Sequence, residues 1–178
     1  KSKKGVFIYT ALLSVVLLFG SIRVLLPLKD ETVKVAGIHT TDKERDGKAF
    51  WAALAQKDTA GFNNASRNQI QKLVSATKEQ AQTGAKIILW SEVSPTILKA
   101  NEEKLLLQLK TLAKELSIYL VANPYVATTD TAKPENKIWM FSPDGELLLT
   151  HYKYGGNFLE GSVEGDKKLR AVLTPYGN

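Results

Sequence analysis

The chain is organised around one stretch of sequence, Gly84-Ala85-Lys86-Ile87-Ile88-Leu89-Trp90-Ser91-Glu92. Glycine is the usual residue just past a helix end, and the apolar run after it predicts a buried strand that is covered on both faces. Glu92 then follows the carboxyl end of the strand, where α/β folds carry functional side chains. A lone glutamate after a strand is more often a surface residue or a helix cap, so Glu92 is at this point only a candidate.

Helix and strand patterns alternate on both sides of this stretch. Residues 32–38 alternate as a first strand, and residues 118–122 form a third, short and apolar strand. The capping-box pattern Ser66-Arg67-Asn68-Gln69 predicts the start of a helix that ends at Gly84. Asn101 predicts the cap of another helix with a leucine stripe, and a short helix is expected near residues 49–55. The order β-α-β-α-β predicts an α/β fold.

The last third of the chain predicts a hairpin and a loop. Residues 137–141 and 146–152 flank Ser142-Pro143-Asp144-Gly145, a turn sequence with proline and glycine in preferred positions. The second strand leads into Lys153 and a loop that contains Gly155, Gly156 and Glu160. A final short strand is expected at residues 169–173, followed by a turn at 174–178.

The start of the chain predicts a membrane span. Residues 6–22 are uncharged and mostly apolar, and the run extends to Leu26 if Arg23 reaches the interface, which gives the roughly 20 residues that a bilayer requires. A cleaved signal would need a cleavage site with small residues after the run, and residues 21–26 offer none. A buried core helix would need one polar face, and the run has too few polar residues for that. We therefore expect a transmembrane helix with a basic flank at 1–29 and one globular domain at 30–178.

The distribution of charge predicts the orientation of this helix. Lys1, Lys3 and Lys4 precede it, and the positive-inside rule places such a cluster in the cytoplasm, so the domain is expected to be extracytoplasmic at the cell membrane. Five of the 24 basic residues and none of the 18 acidic ones lie at or before Lys29. The rest of the chain is nearly neutral, so the overall charge of +6 gives no reason to expect nucleic acid as a partner.

The composition gives no reason to expect a metal or another cofactor. The chain has no cysteine and only two histidines, His39 and His151, neither of which has a ligand pattern nearby.

Four motifs, taken in chain order, resemble the carbon–nitrogen hydrolase (nitrilase) superfamily. Residues 87–92 resemble its apolar strand ending in Trp-Pro-Glu, with Ser91 where proline is usual. Residues 135–146 resemble its Asn-to-Pro-x-Gly hairpin. Lys153, followed by Glu160-Gly161-Ser162, resembles the lysine loop, and Thr174-Pro175-Tyr176-Gly177 resembles the turn before the nucleophile strand.

This resemblance implies a fold and a set of site residues. It implies the first half of a nitrilase-like αββα sandwich after the transmembrane helix, with Glu92 as general base and Lys153 as the cation that stabilises a developing negative charge. Glu160 would hold the lysine or the leaving group. The family's nucleophile is a cysteine, which this chain lacks, so we expect a fragment that is inactive alone.

Three functions follow from the resemblance. A membrane span ahead of such a domain resembles the apolipoprotein N-acyltransferase branch, whose domain follows several membrane helices, which implies a membrane lipid as partner, a phospholipid acyl donor and a lipoprotein acceptor. The alternatives are a membrane-tethered amidohydrolase or nitrilase acting on a small amide, and a non-catalytic nitrilase-like domain that only binds.

Overall fold

A computed structural model describes residues 3–26, 32–39, 47–153 and 161–177, without the side chains of residues 47–49. The chain divides into two compact units, Lys1–Thr32 and Val33–Asn178.

The first unit contains a single long helix, α1 (Lys3–Leu25), so the predicted N-terminal apolar helix is confirmed. None of its residues is buried. At about 1.5 Å per residue a helix of this length spans a hydrocarbon core of about 30 Å, and by length and composition α1 could cross a membrane. Lys3 and Lys4 begin the helix, whereas Lys1 and Lys29 lie outside the described residues.

The second unit is a mixed α/β fold. Its helices are α2 (Gly47–Ala55), α3 (Thr59–Gln82) and α4 (Glu102–Leu116), the last preceded by a 3₁₀ turn at Lys99–Asn101. Its strands are β1 (Val35–Ile38), β2 (Ile87–Trp90), β3 (Thr96–Leu98), β4 (Tyr119–Ala122), β5 (Tyr125–Ala127), β6 (Glu135–Phe141) and β7 (Leu147–Tyr152).

The strands form one sheet in the order β1-β2-β4-β6-β5-β3, with β7 paired to β6. β1, β2 and β4 run parallel, as the β-α-β-α-β pattern predicts, and β6 is antiparallel to β4, β5 and β7. The strand β6 therefore joins the parallel part of the sheet to the hairpin and to the short strands β3 and β5, which the sequence did not predict.

The two faces of the sheet are covered unequally. On one face Ile88 and Trp90 of β2 join a buried core with Leu73 of α3 and Leu109 of α4. On the other face a cross-strand row runs through Leu89, Val121, Met140 and Leu149. Leu89 is 37% exposed and the other three are only partly buried, so the prediction that β2 is covered on both faces is wrong for this chain.

The helix before β2 starts earlier than predicted. The N-cap of α3 is Asp58, whose Oδ1 accepts a hydrogen bond from the Gly61 N–H at 2.8 Å. Ser66 lies inside the helix and is buried, and its hydroxyl donates to the Thr96 carbonyl at 2.7 Å instead of capping. The capping-box prediction is therefore wrong, because a tertiary contact uses the serine and a real cap precedes it.

The helix after β2 agrees with its prediction except at the cap. Leu105, Leu109 and Leu112 form the expected buried stripe of α4. Asn101 occupies the N-cap position, but its side chain makes no capping bond and donates to Asn63 Oδ1 at 2.8 Å.

The predicted hairpin is confirmed and the predicted last strand is not. The Gly145 N–H donates to the Ser142 carbonyl at 2.9 Å, and Gly145 has a φ of +82° that favours glycine. Residues 169–173 form no strand, and Leu169 and Leu173 are 101% and 84% exposed, because no described strand lies beside them to pair with. The expected turn is present as a bridge between Thr174 and Gly177.

Candidate active site

Three residues from separate parts of the chain meet at one carboxylate oxygen. Glu92 follows β2, Asn136 lies in β6 and Lys153 follows β7. Lys153 Nζ lies 2.7 Å from Glu92 Oε1, and Asn136 Nδ2 donates to the same oxygen at 3.0 Å. The structure therefore brings together two of the predicted site residues, Glu92 and Lys153, although the sequence places them far apart.

The register of the hairpin explains why the lysine and the asparagine meet. β6 and β7 pair so that Lys137 lies opposite Tyr152, and the Lys153 N–H then donates to the Asn136 carbonyl at 2.8 Å. Because side chains alternate along a strand, Asn136 lies on the face of the sheet that also carries Met140. The side chain of Asn136 is buried, with 2% exposure, so its amide is fixed in place.

Glu92 emerges from a strained turn. Val93, the next residue, has a φ of +60°, which is rare for a β-branched side chain and costs free energy. Its side chain packs partly buried against a small core cluster that includes Phe62, Leu98 and Tyr125. This packing holds the backbone where Glu92 leaves the strand, and such strain is concentrated at functional sites.

The Glu92–Lys153 pair is accessible to solvent. The two side chains are 49% and 38% exposed, so the ion pair is worth at most about 1 kcal/mol to stability. Its geometry therefore comes mainly from the backbone and from Asn136. A carboxylate that can accept a proton, next to an ammonium that can stabilise negative charge, is an arrangement suited to acyl transfer.

The remaining predicted site residue, Glu160, lies outside the described residues, as do Gly155 and Gly156 of the same loop. The structure therefore does not place it. Within the described ranges no group of three His, Cys, Asp or Glu side chains could hold a metal ion.

A partly buried charge cluster lies near this site, and the sequence did not predict it. Lys137 of β6 is 2% exposed, and its ammonium contacts both Glu102 of α4 and Glu135 of its own strand. Lys99 Nζ lies 2.6 Å from each of the same two carboxylates. The sequence did contain one indication of this cluster, because Glu135 and Lys137 are two residues apart in a strand and so share one face.

The charges of this cluster stabilise one another. Burial raises the pKa of Glu135, but hydrogen bonds from Lys137 and Lys99 outweigh burial and hold that pKa below its usual range. Hydrogen bonds to Glu102 and Glu135 raise the pKa of Lys99 above its usual range. Both groups are therefore charged at neutral pH.

Comparison with solved structures identifies the fold. The chain is similar to a carbon–nitrogen hydrolase from Helicobacter pylori G27, with 16% identity and a TM-score of 0.53 over 63% of this chain and 44% of the other. It is also similar to a mutant of an amidase of the nitrilase superfamily from Nesterenkonia sp. AN1, with 17% identity and a TM-score of 0.50 over 63% and 48% of the two chains.

A second mutant of the Nesterenkonia amidase, in which acrylamide has added to an active-site cysteine, matches with 13% identity and a TM-score of 0.51 over 62% and 48%. No family model and no curated protein matches the sequence. The chain spans about half the length of the solved structures it matches. The second unit is thus a partial nitrilase-like fold.

Proposed function

We propose that this chain carries the base and the cation of the active site of a membrane-anchored N-acyltransferase of the apolipoprotein type. The observation that carries the proposal is the 2.7 Å contact between Lys153 Nζ and Glu92 Oε1 at the carboxyl end of β2, within a partial nitrilase-like fold. The apolar helix α1 supports the anchor, and Lys3 and Lys4 at its start support an extracytoplasmic domain.

The chemistry requires a thiol in addition to these two residues. Glu92 takes the proton of the thiol, and the sulfur attacks the ester carbonyl carbon of a phospholipid. Lys153 stabilises the negative charge that builds on the carbonyl oxygen. The ester C–O bond then breaks, the departing alkoxide takes the proton back from Glu92 and a thioester remains. The amino group of a lipoprotein attacks this thioester, forms an amide, loses a proton and releases the thiol.

The proposal places the thiol on residues outside these 178, because they contain no cysteine. The half-covered face of the sheet supports this, since the row through Leu89, Val121 and Met140 is apolar and only partly buried. Parallel strands such as β1, β2 and β4 are normally covered on both faces. A second layer that packs there could deliver a nucleophile beside Glu92. In this proposal Glu160 orients Lys153 or the leaving group.

A second candidate is a membrane-tethered amidohydrolase, in which water instead of an amine attacks the thioester. The observation that favours it is the class of the similar structures, two of which are mutants of an amidase. The geometry of Glu92 and Lys153 serves both reactions equally, so the acceptor distinguishes them.

The test uses the complete protein in detergent micelles, incubated with a phospholipid and an acceptor lipopeptide, and in parallel with a soluble amide. We expect acyl transfer to the lipopeptide, detected by mass spectrometry. Release of ammonia from the amide without acyl transfer would favour the amidohydrolase. The absence of both products, and of a trapped acyl-thioester, would leave only the non-catalytic domain.

Variants test the two residues directly. Glu92→Gln and Lys153→Met should each lower the rate roughly a hundred- to a thousandfold with little loss of folding, and the double variant should lose much less than the product of the two. Glu164→Gln is the control, because Glu164 is an exposed residue whose contact with Lys167 at 3.1 Å lies on the surface. Near-normal activity of Glu92→Gln would refute the proposed base.

A further inference from the structure

The proposed reaction does not use Lys137, the most deeply buried charge in the described part of the second unit. Its side chain is 2% exposed, and its ammonium is enclosed by Glu102, Glu135 and the rings of Trp139 and Tyr152, whose centroids lie 5.3 and 5.4 Å away. A buried ammonium is costly unless it is paired, and its pairs hold fixed geometry.

The cluster lies directly behind the candidate active site. Glu135 and Lys137 flank Asn136 in β6, so their side chains point to the helix-covered face while Asn136 faces Glu92. Tyr152 pairs with Lys137 across the hairpin and immediately precedes Lys153. The cluster therefore holds, from the back of the sheet, the two strands that present Asn136 and Lys153.

The Glu92–Lys153 pair needs such support. Both side chains are more than a third exposed, and an exposed ion pair is too weak to impose a geometry on its own partners. The backbone of the lysine is held in part by the bond from its N–H to the Asn136 carbonyl at 2.8 Å. The pairing of β6 with β7 beside Asn136 and Lys153 is here called the β6–β7 rung. This pairing must be rigid if the Glu92–Lys153 pair is to be preorganised.

We propose that Lys137, held by Glu102 and Glu135, is a positioning residue that locks the β6–β7 rung so that the Asn136 amide and the Lys153 ammonium meet Glu92. This inference rests on the proposed function for its purpose. It can be measured without that function, because the position of Lys153 is a physical property of the folded chain.

The experiment measures the acylation rate of Lys153 by trace acetic anhydride in the full chain in micelles, relative to Lys78, an exposed lysine of α3. Peptide mass spectrometry gives the ratio of the two rates. An ammonium held by a carboxylate reacts slowly, so Lys137→Met should raise the relative rate of Lys153 about two- to fivefold, the range that loss of an exposed pair allows. Glu102→Gln should raise it less.

Two further variants make the result decisive. Ser142→Ala removes the hydroxyl that accepts hydrogen bonds from the Asp144 and Glu146 N–H groups, and so weakens the same hairpin at its other end. It should leave the rate of Lys153 unchanged. Glu92→Gln should raise that rate, because it removes the negative charge 2.7 Å from the lysine ammonium.

The outcomes separate the two ideas. If Lys137→Met has no more effect than Ser142→Ala while Glu92→Gln raises the rate, the positioning role is refuted and the proposed function is untouched. If Glu92→Gln does not change the rate of Lys153, the ion pair itself is refuted. The proposed function and the positioning role are then refuted as well. If Lys137→Met does not fold, Glu102→Gln decides by the same comparison.

Discussion

Replacing Lys137 by methionine removes a charge and keeps most of the side-chain volume. The methionine stem can still pack against Trp139 and Tyr152, so the change isolates the ammonium from the packing. The variant leaves Glu102 and Glu135 close together, with side chains only 20% and 14% exposed. These two carboxylates then repel each other with one fewer cation between them.

The expected loss of stability follows from this burial. Breaking a buried ion pair by removing one partner costs about 3–5 kcal/mol, because the other charge stays buried. The lower end applies here, since Lys99 remains 2.6 Å from both carboxylates and is itself half exposed. In a domain of roughly 150 residues, a loss of about 3 kcal/mol corresponds to a fall of about 6–12 °C in Tm.

Thermal denaturation followed by circular dichroism at pH 7 measures this change. The control is Lys167→Met, because Lys167 and Glu164 form a pair with side chains 61% and 55% exposed, and its loss should change Tm very little. A fall below about 2 °C for Lys137→Met would mean that water reaches the ammonium. Such a result would refute the burial of the Lys137 ammonium.

Three other predictions follow. Thr77→Val should lower the free energy of unfolding in urea by about 1–3 kcal/mol. The buried Trp90 Nε1–H donates to Thr77 Oγ1 at 2.9 Å, and the variant leaves it without an acceptor. Adding Trp90→Phe should restore part of the lost free energy. The lowered pKa of Glu135 stabilises the fold above its ordinary pKa of 4.5, and this stabilisation is lost as the pH falls through the folded value. Glu135→Gln should therefore flatten the acid side of a stability profile measured by urea midpoints, and an unchanged slope would contradict the ion pairing. Deletion of residues 1–28 should leave the rest in the supernatant after carbonate washing of membranes, and pelleting with lipid would reveal a second membrane contact.

Sequence patterns predicted the elements whose signal lies within a short run of the chain. The leucine stripe of α4 and the Pro-Asp-Gly turn of the hairpin are both explained by neighbours in the chain. The start of α3 was not predictable in this way, because Ser66 carries a capping pattern but bonds to Thr96, which lies 30 residues away. The three-residue strands β3 and β5 are too short for a period of two to show.

The candidate site likewise contains residues that the sequence predicted and residues that only the fold reveals. Glu92 and Lys153 were predicted from the resemblance of their motifs, and the structure places them in contact, while their catalytic role stays a prediction. Asn136 lies inside one of those motifs but had no assigned part, because nothing in the sequence shows that its amide reaches Glu92. The burial of Lys137 was not predictable, because lysines are rarely buried and only the fold brings Glu102 to it.

The connectivity of the site has a consequence for the order in which it assembles. Asn136 and Lys153 belong to one hairpin, which can close within about 1–10 μs because its loop is short. Glu92 is 44 residues from Asn136 and 61 from Lys153, and it reaches them only when β2 and β4 pair in parallel. Closing such long loops costs conformational entropy before any favourable contact forms, so we expect these contacts to form late. We therefore expect a refolding chain to form the hairpin that carries Lys153 and Asn136 first, and the contact of Lys153 with Glu92 later.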